Sequence, residues 1–291
     1  MLFDRYFDDD EKTPSSDPDF FGEEELVPEQ TPRERRSFVL HSSAVERTNP
    51  RRERGCSKPL CDDVAGIYAV LDGVSSEGFE HVSCVHAARV LLYWLKSTRE
   101  REGLIPSGSG DPRREARRLE MALSRTHSEL KSLGRKIVPG SGATIGCSAV
   151  AVVPAGTHLV VAWLGDARLY RSRAGVVTQL TVDHTFSTIR RLIGGQDDTT
   201  VRRSRLNTVP SSHLGADGAV EPEINAVELR DGDHYLLCNA ALACALRSEQ
   251  MRTRLGEVAT PASVAEKLLT AASYVVPNGD FSAIVLHTEA R

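Results

Sequence analysis

The sequence predicts an α+β fold of two antiparallel β-sheets flanked by pairs of helices, and three observations predict it. Strand-like runs come in blocks, at 143–180 and again at 226–238. Helix-like runs come in pairs, at 81–133 and 242–275. Strand and helix do not alternate one for one, as a parallel sheet would require. The 291 residues are enough for a substantial core, and 40% hydrophobic with 26% charged residues is ordinary for a globular chain.

In chain order, Ser37–Ala44 and Gly66–Leu71 read as strands. His81–Leu95 reads as a helix, because Val82, Val85, Leu92 and Leu95 recur at helical spacing. GLIPSGSGDP breaks the pattern. Arg113–Leu133 is a second helix with Ala116, Leu119, Ala122, Leu123, Leu130 and Leu133 inward and a basic outer face. Strands at Ala143–Val153, His158–Leu164, Arg168–Ser172 and Val176–Leu180 are separated by PAG, GD and RAG turns. Phe186–Ile193 is helix-like. Ala226–Leu229 and His234–Cys238 are expected to pair as a hairpin across RDGD. Leu242–Leu255 is one helix, and Ala262–Val275 a second, with Thr260 as N-cap and Pro261 at its first position. Ser282–His287 is the last strand.

Residues 1–30 hold eleven acids, two bases and three prolines, a local charge of −9, which leaves +5 for the rest of a chain whose total is −4. Residues 1–36 are therefore expected to be an acidic, disordered tail and 37–291 the folded domain. Phe3, Tyr6, Phe7, Phe20 and Phe21 give the tail the look of a docking segment, for a partner or for basic surface at Arg33, Arg35, Arg36 or Arg113–Arg118; a solvated leader is the alternative. The charge does not suggest nucleic acid. No apolar run is long enough for a membrane span, and MLFDRYFDDDEK lacks a signal-peptide layout, so a cytoplasmic location is expected. Cys56, Cys61, Cys84, Cys147, Cys238 and Cys244 read mainly as free apolar cysteines. Cys56, Cys61, His81, Cys84 and His86 invite a zinc reading that no CxxC spacing supports; His81 alone is placed near a strand end, and an ordinary helix-face role fits it.

The chemistry-bearing positions lie at strand ends. IYAVLDGVSSEG delivers Asp72 to a turn before a helix, SGATIGCSAVAVV leads to LVVAWLGDARLYRSRAGVVTQLTVDHT, and DGDHYLLCNAAL is followed by GDFSAIVL. This order resembles the PPM family of metal-dependent Ser/Thr phosphatases, the type 2C phosphatases, with its FAVxDGxGG, SGxTA, GDSR, LTxDH, SDGL and DNxT motifs. The resemblance covers about residues 37–288. It implies a four-layer α/β/β/α sandwich with two Mn²⁺ or Mg²⁺ ions held by carboxylates between the sheets, where they orient a water for attack on phosphorus.

The departures from the family pattern fall on its metal ligands. Asp72 and Gly73 keep the DG pair, so Asp72 by its carboxylate and Gly73 by its carbonyl stand as remnant metal ligands, with Asp280 beside them. The SDGL position reads Asn239-Ala240-Ala241-Leu242, placing Ala240 where the family has an aspartate. The DNxT position reads Gly279-Asp280-Phe281-Ser282, placing Gly279 at the other. The R-x-x-N-E-D stretch finds its counterpart in Arg47-Thr48-Asn49-Pro50-Arg51-Arg52 within a segment, 46–62, that reads as an insertion. GDSR becomes Gly165-Asp166-Ala167-Arg168; LTVDHT is intact and reads as structural. Ser75 and Ser76 stand where the family has glycines.

These residues lead to a catalytically degenerate, pseudophosphatase-like binding or regulatory module. No cofactor is expected, and no confident catalytic residue; Mn²⁺ or Mg²⁺ belongs to it only if the remnant site functions. A protein partner is expected, such as a phosphoprotein, a kinase or a signalling complex, with no nucleic acid and no membrane. Arg47, Arg51 and Arg52 are candidate phosphate contacts; a solvated charged loop is the alternative. The other reading is an active, divergent Mn/Mg-dependent Ser/Thr phosphatase that uses Asp72 with Asp280, Asp166, or a carboxylate of the 46–63 segment such as Asp62 or Asp63. A scaffold with no ligand in the cleft is a third.

Overall fold

A computed structural model of the chain describes residues 37–75, 78–103, 110–137, 139, 145–192, 210–257 and 259–291. The acidic segment 1–36, Ser76 and all of SGAT lie outside them. Strands of strongly alternating partners organise the fold. On β3 (Ile67–Ser75), Ile67, Ala69 and Leu71 enter one buried cluster while Tyr68 and Val70 enter another. On β10 (Phe281–Ala290), Ala283 and Val285 part from Ile284 and Leu286 in the same way. Period-two side chains with both faces covered make β3, β9 (His234–Cys238) and the first half of β10 almost continuous apolar runs.

The strands form two five-stranded sheets. The first runs β1 (Phe38–Arg47), β10, β9 (His234–Cys238), β6 (Arg168–Arg173), β7 (Val176–Gln179). The second runs β2 (Ser57–Asp62), β3, β4 (Ile145–Ala155), β5 (His158–Leu164), β8 (Glu223–Glu228). Every ladder is antiparallel. Tyr68, Val70, Val150, Val152, Leu237 and Ile284 fill the layer between the sheets. Helices α1 (Glu80–Arg101) and α2 (Pro112–Ile137) cover the outer face of the second sheet. Three others, α4 (Ala240–Ala245), α5 (Ser248–Leu255) and α6 (Pro261–Val275), cover the first; α3 (Phe186–Leu192) is a short surface helix. The four-layer α/β/β/α sandwich is as expected.

Several expectations need correcting. β8 and β9 do not form a hairpin: β8 pairs with β5 and β9 with β10 and β6, so RDGD carries the chain from one sheet to the other. The segment read as an insertion contains β2, an edge strand, which tolerates Pro59 because one side of its ladder is unpaired. The 242–255 helix is two helices, broken where Leu246 turns extended (ψ 133°) and the Arg247 amide donates to Gln250 Oε1 at 3.0 Å. α1 is rotated from its predicted face: Cys84, Ala87, Ala88, Leu91 and Leu95 are buried, and Val82 is exposed. The basic face of α2 is not uniformly solvated. Arg118 is buried, pairing with Glu115 and Glu102, and Arg99 of α1 reaches the same Glu115 at 3.1 Å. Thr260 does cap α6, its hydroxyl accepting from the Ser263 amide, with Pro261 opening the helix.

Candidate functional site

One end of the sandwich gathers most of the residues singled out above. β3 brings Asp72 there, directly opposite Ser148 of β4 and Ser57 of β2. Its parity with Val70 turns it into the space between the sheets. Gly73 follows, its amide donating to the Cys56 carbonyl at 2.7 Å. A Cβ at Gly73 would lie 2.1 Å from the Glu80 carbonyl oxygen, so the start of α1 rests on this glycine. From the opposite sheet come Asn239, at the end of β9, and Asp280, just before β10.

Asn239 spends its whole side chain on structure. Its Oδ1 accepts from the Leu242 amide at 3.2 Å, capping α4, and from the Ser282 amide at 3.3 Å. Its Nδ2 donates to the Asp280 carbonyl at 2.9 Å and, more weakly, to Asp72 Oδ1 at 3.5 Å. Ala240 and Ala241 after it carry no donor atom. Gly279 is buried, and a Cβ there would sit 2.2 Å from the Phe281 ring.

The carboxylates at this end have different surroundings. Burial pushes the Asp72 carboxyl up to about 7, the Asp166 charge adds to the rise, hydrogen bonds from Asn239 and Ser57 oppose it, and Asp280 contributes a further increment. Asp166, in the buried turn between β5 and β6, is raised as well, first by burial. Asp280 accepts the Asn49 amide at 2.8 Å, and Arg52 Nε lies 3.8 Å from its other oxygen. Arg52 also hydrogen-bonds the Cys56 thiol, which burial raises to about 12.

The 46–63 segment therefore reaches the cleft with Asn49, Arg52, Cys56 and Ser57. Ser57 shares a hydrogen bond with Ser282 across the two sheets. Asp62 and Asp63 lie at the far end of β2, since Ser57 is opposite Asp72 whereas Asp62 is opposite Ile67. Asp62 pairs there with Lys96 at 2.7 Å, and Asp63 accepts from Ser42 and Tyr68. They do not join Asp72. Arg47 and Arg51 are exposed, and Arg52 is tied to Asp280. His81 Nδ1 is 2.9 Å from the Gly55 carbonyl, in a cavity of about 520 Å³ that also involves Arg52, Arg54, Cys56 and Glu80. Cys84 is buried under the second sheet, Cys61 sits beside Ser42, and His86 is on another part of α1. Among the described residues, no three His, Cys, Asp or Glu side chains are arranged to hold a metal ion. No helix there is long and apolar enough to cross a membrane.

Sequence reading missed the contacts that Ser57, Ser282 and Cys56 make at the cleft and the bridging role of Asn239. Its one available signal was Asn239 preceding an alanine-rich run, an N-cap pattern. The LTVDHT reading holds: Arg168 grips Asp183 with Nε at 2.9 Å and Nη2 at 2.6 Å, and the His184 amide donates to the Gly165 carbonyl. These bonds brace the Gly165–Arg168 turn, where Gly165 has φ +102°.

Comparison with known proteins agrees with this architecture. The serine/threonine phosphatase PstP of Mycobacterium tuberculosis is 32% identical over 103 residues, which is 34% of this chain and only 19% of that protein. The matched part thus spans about a fifth of the curated relative. A crystal structure of the M. tuberculosis phosphatase PstP/Ppp superposes with a TM-score of 0.72 at 22% identity, covering 86% of this chain and 99% of that one. PppA of Pseudomonas aeruginosa, described as a key regulatory component of its T6SS, superposes with a TM-score of 0.70 at 18% identity, covering 87% and 100%. PstP has also been solved with two manganese ions. The protein phosphatase 2C family model matches residues 45–190, half of the chain, and with the sheet order and cleft just described the chain belongs to the protein phosphatase 2C family.

Proposed function

We propose that this chain is a pseudophosphatase: a phosphatase 2C fold that serves as a regulatory or binding module for a phosphoprotein or a signalling kinase. The donor set carries the reading. A two-metal centre needs several hard oxygen ligands to offset four positive charges. Here Ala240 and Gly279 offer no side-chain oxygen, Asn239 turns an amide N–H toward Asp72, and Asp280 already receives a backbone amide and an arginine. Replacing ligand carboxylates by neutral groups and adding a guanidinium removes attraction worth on the order of 4 kcal/mol per pair. The residues do not fit the two-metal centre, so no metal-dependent step is assigned to them. Arg47 and Arg51, exposed at the rim, suit a phosphate on a docked protein.

One observation favours the second reading, an active divergent phosphatase: Asp166 and Asp280 both lie close enough to Asp72 to raise its pKa, so three carboxyl groups share one end of the sandwich. Hydrolysis of an aryl phosphate with excess Mn²⁺, run beside Asp72→Ala, decides between them. The pseudophosphatase reading expects no turnover in either protein. Turnover that disappears in the variant would establish the active one.

A further inference from the structure

Helix α2 holds eight basic and three acidic residues, a net charge of +5. The chain after residue 30 also carries +5, so everything else in that stretch sums to zero. Part of the α2 charge is used internally, since Arg114 and Arg118 pair with Glu102 and Arg118 also with Glu115. Arg117 and Arg125 are exposed and, among the described residues, in no salt bridge. The exposed acids on this helix are Glu120 and Glu129.

Arg117, Met121 and Arg125 recur every fourth residue, which places them in one stripe along α2. Met121 is 41% exposed. On the neighbouring α1, Arg89 and Tyr93 are again four apart, and Tyr93 is 59% exposed. Trp94 joins the two stripes: the Arg125 guanidinium stands 5.1 Å over its ring, and Tyr93 meets it edge-on at 5.6 Å. Guanidinium groups thus alternate with large apolar side chains across both helices. Tyr, Trp, Met and Arg are the residue types enriched where proteins make contact. A single exposed apolar residue needs no explanation, but a cluster set among unpaired arginines marks a contact surface.

We propose that this α1–α2 face is the docking surface for the chain's own N-terminal segment, residues 1–30. The charges are complementary, −9 on the segment against +5 on α2. The patterns are complementary as well: Phe3, Tyr6, Phe7, Phe20 and Phe21 are interleaved with acids, as Tyr93, Trp94 and Met121 are with arginines. The rings would rest on the apolar shelf while the carboxylates meet Arg89, Arg117 and Arg125 in charge-assisted hydrogen bonds. The folded chain also begins on the correct side. Ser42 of β1 donates to Asp63 at 2.6 Å, and the adjoining Asp62 pairs with Lys96 of α1 at 2.7 Å. β1 therefore runs beside the C-terminal half of α1. From Phe21 to Ser37 is sixteen residues, a reach of up to about 50 Å when extended. The surface belongs to the outer helical layer, apart from the cleft between the sheets, so the proposal does not depend on whether the cleft holds metal.

The test is acrylamide quenching of tryptophan fluorescence in the full chain. Of its two tryptophans Trp163 is 4% exposed, so Trp94 reports. Quenching should rise about twofold or more between low salt and about 1 M NaCl, where screening reaches down to about 3 Å and releases the segment. Arg117→Glu, and separately Phe20→Ala combined with Phe21→Ala, should show the raised quenching already at low salt. Arg125 is left intact because it stacks on Trp94 itself. A photo-cross-linking phenylalanine analogue in place of Phe20 then identifies the surface, with links expected on α1 and α2 of the same chain. Salt-independent quenching that both variants leave unchanged overturns the proposal. So do links confined to other elements, or links that join two chains, which would make the occupant a second copy.

Discussion

Two carboxylates show how differently this chain treats two stretches of similar origin. Asp183, in LTVDHT, is gripped at two points by Arg168 and braces the turn that carries Asp166. Asp72, in the DG turn, has only neutral donors, Asn239 and Ser57, and the charges near it are negative. One corner of the fold is electrostatically closed; the other holds a buried acid without a counter-charge. Where the carboxylate supports the scaffold its counter-charge is present, and at Asp72 the neighbouring charges are other carboxylates, Asp166 and Asp280.

The largest expected effect tests the open corner. Asp72 is raised in the folded chain from 3.8 to about 7, so folding favours its protonated form. The favourable contribution is complete below the unfolded value and is lost as pH rises from about 4 to about 7. Asp72→Asn should therefore be more stable than wild type at pH 8, by up to roughly 4 kcal/mol, with the difference vanishing toward pH 3. Urea denaturation across that range checks it. Equal stability at pH 8 would mean that a cation already compensates Asp72.

The closed corner predicts the opposite sign. Arg168→Ala leaves Asp183 mostly buried with the Gln179 amide but without the Arg168 charge, and should cost roughly 3 kcal/mol at pH 7, by the same measurement. A loss below 1 kcal/mol would remove the distinction between the corners. Next is Asn239→Ala, which deletes the α4 cap and the link between Asp72 and the Asp280 carbonyl, at a cost of roughly 1–2 kcal/mol. Ala240→Asp returns a carboxylate to the first turn of α4, where the helix N-terminus favours it. Excess Mn²⁺ should then raise the melting temperature of the variant by a few degrees and leave wild type unmoved. An equal rise in both would show that the wild-type cleft already holds the ion. The smallest effect is at the rim: Arg51→Ala should weaken phosphopeptide binding a few-fold while changing stability by less than about 0.5 kcal/mol.

Much of the fold could be read from the sequence because strands such as β4, β5 and β9 are apolar on both faces and several turns are marked by glycine. His158–Leu164 and His234–Cys238 were placed residue for residue. Periodicity does not say which sheet a strand joins, so β8 and β9 were wrongly paired across RDGD. β2 was hidden by Lys58 and Pro59, which an edge strand accepts. At the cleft, Ala240 and Gly279 were visible as departures from a pattern. The Ser57–Ser282 contact and the Arg52–Asp280 pair were not, because residues far apart in sequence meet only through strand register and loop shape.

The glycine after Asp72 has a consequence for how such chains are classified. A side chain at position 73 would collide with the backbone at the start of α1 whether or not any metal is bound. The glycine of this Asp-Gly pair is thus required by the seating of a helix. A search keyed to that dipeptide would therefore report the seating of a helix as readily as the holding of a metal. Gly279 is fixed by packing in the same way, against the Phe281 ring, so position 240, half-buried at the start of α4, is the place where a side chain answers to chemistry rather than to space.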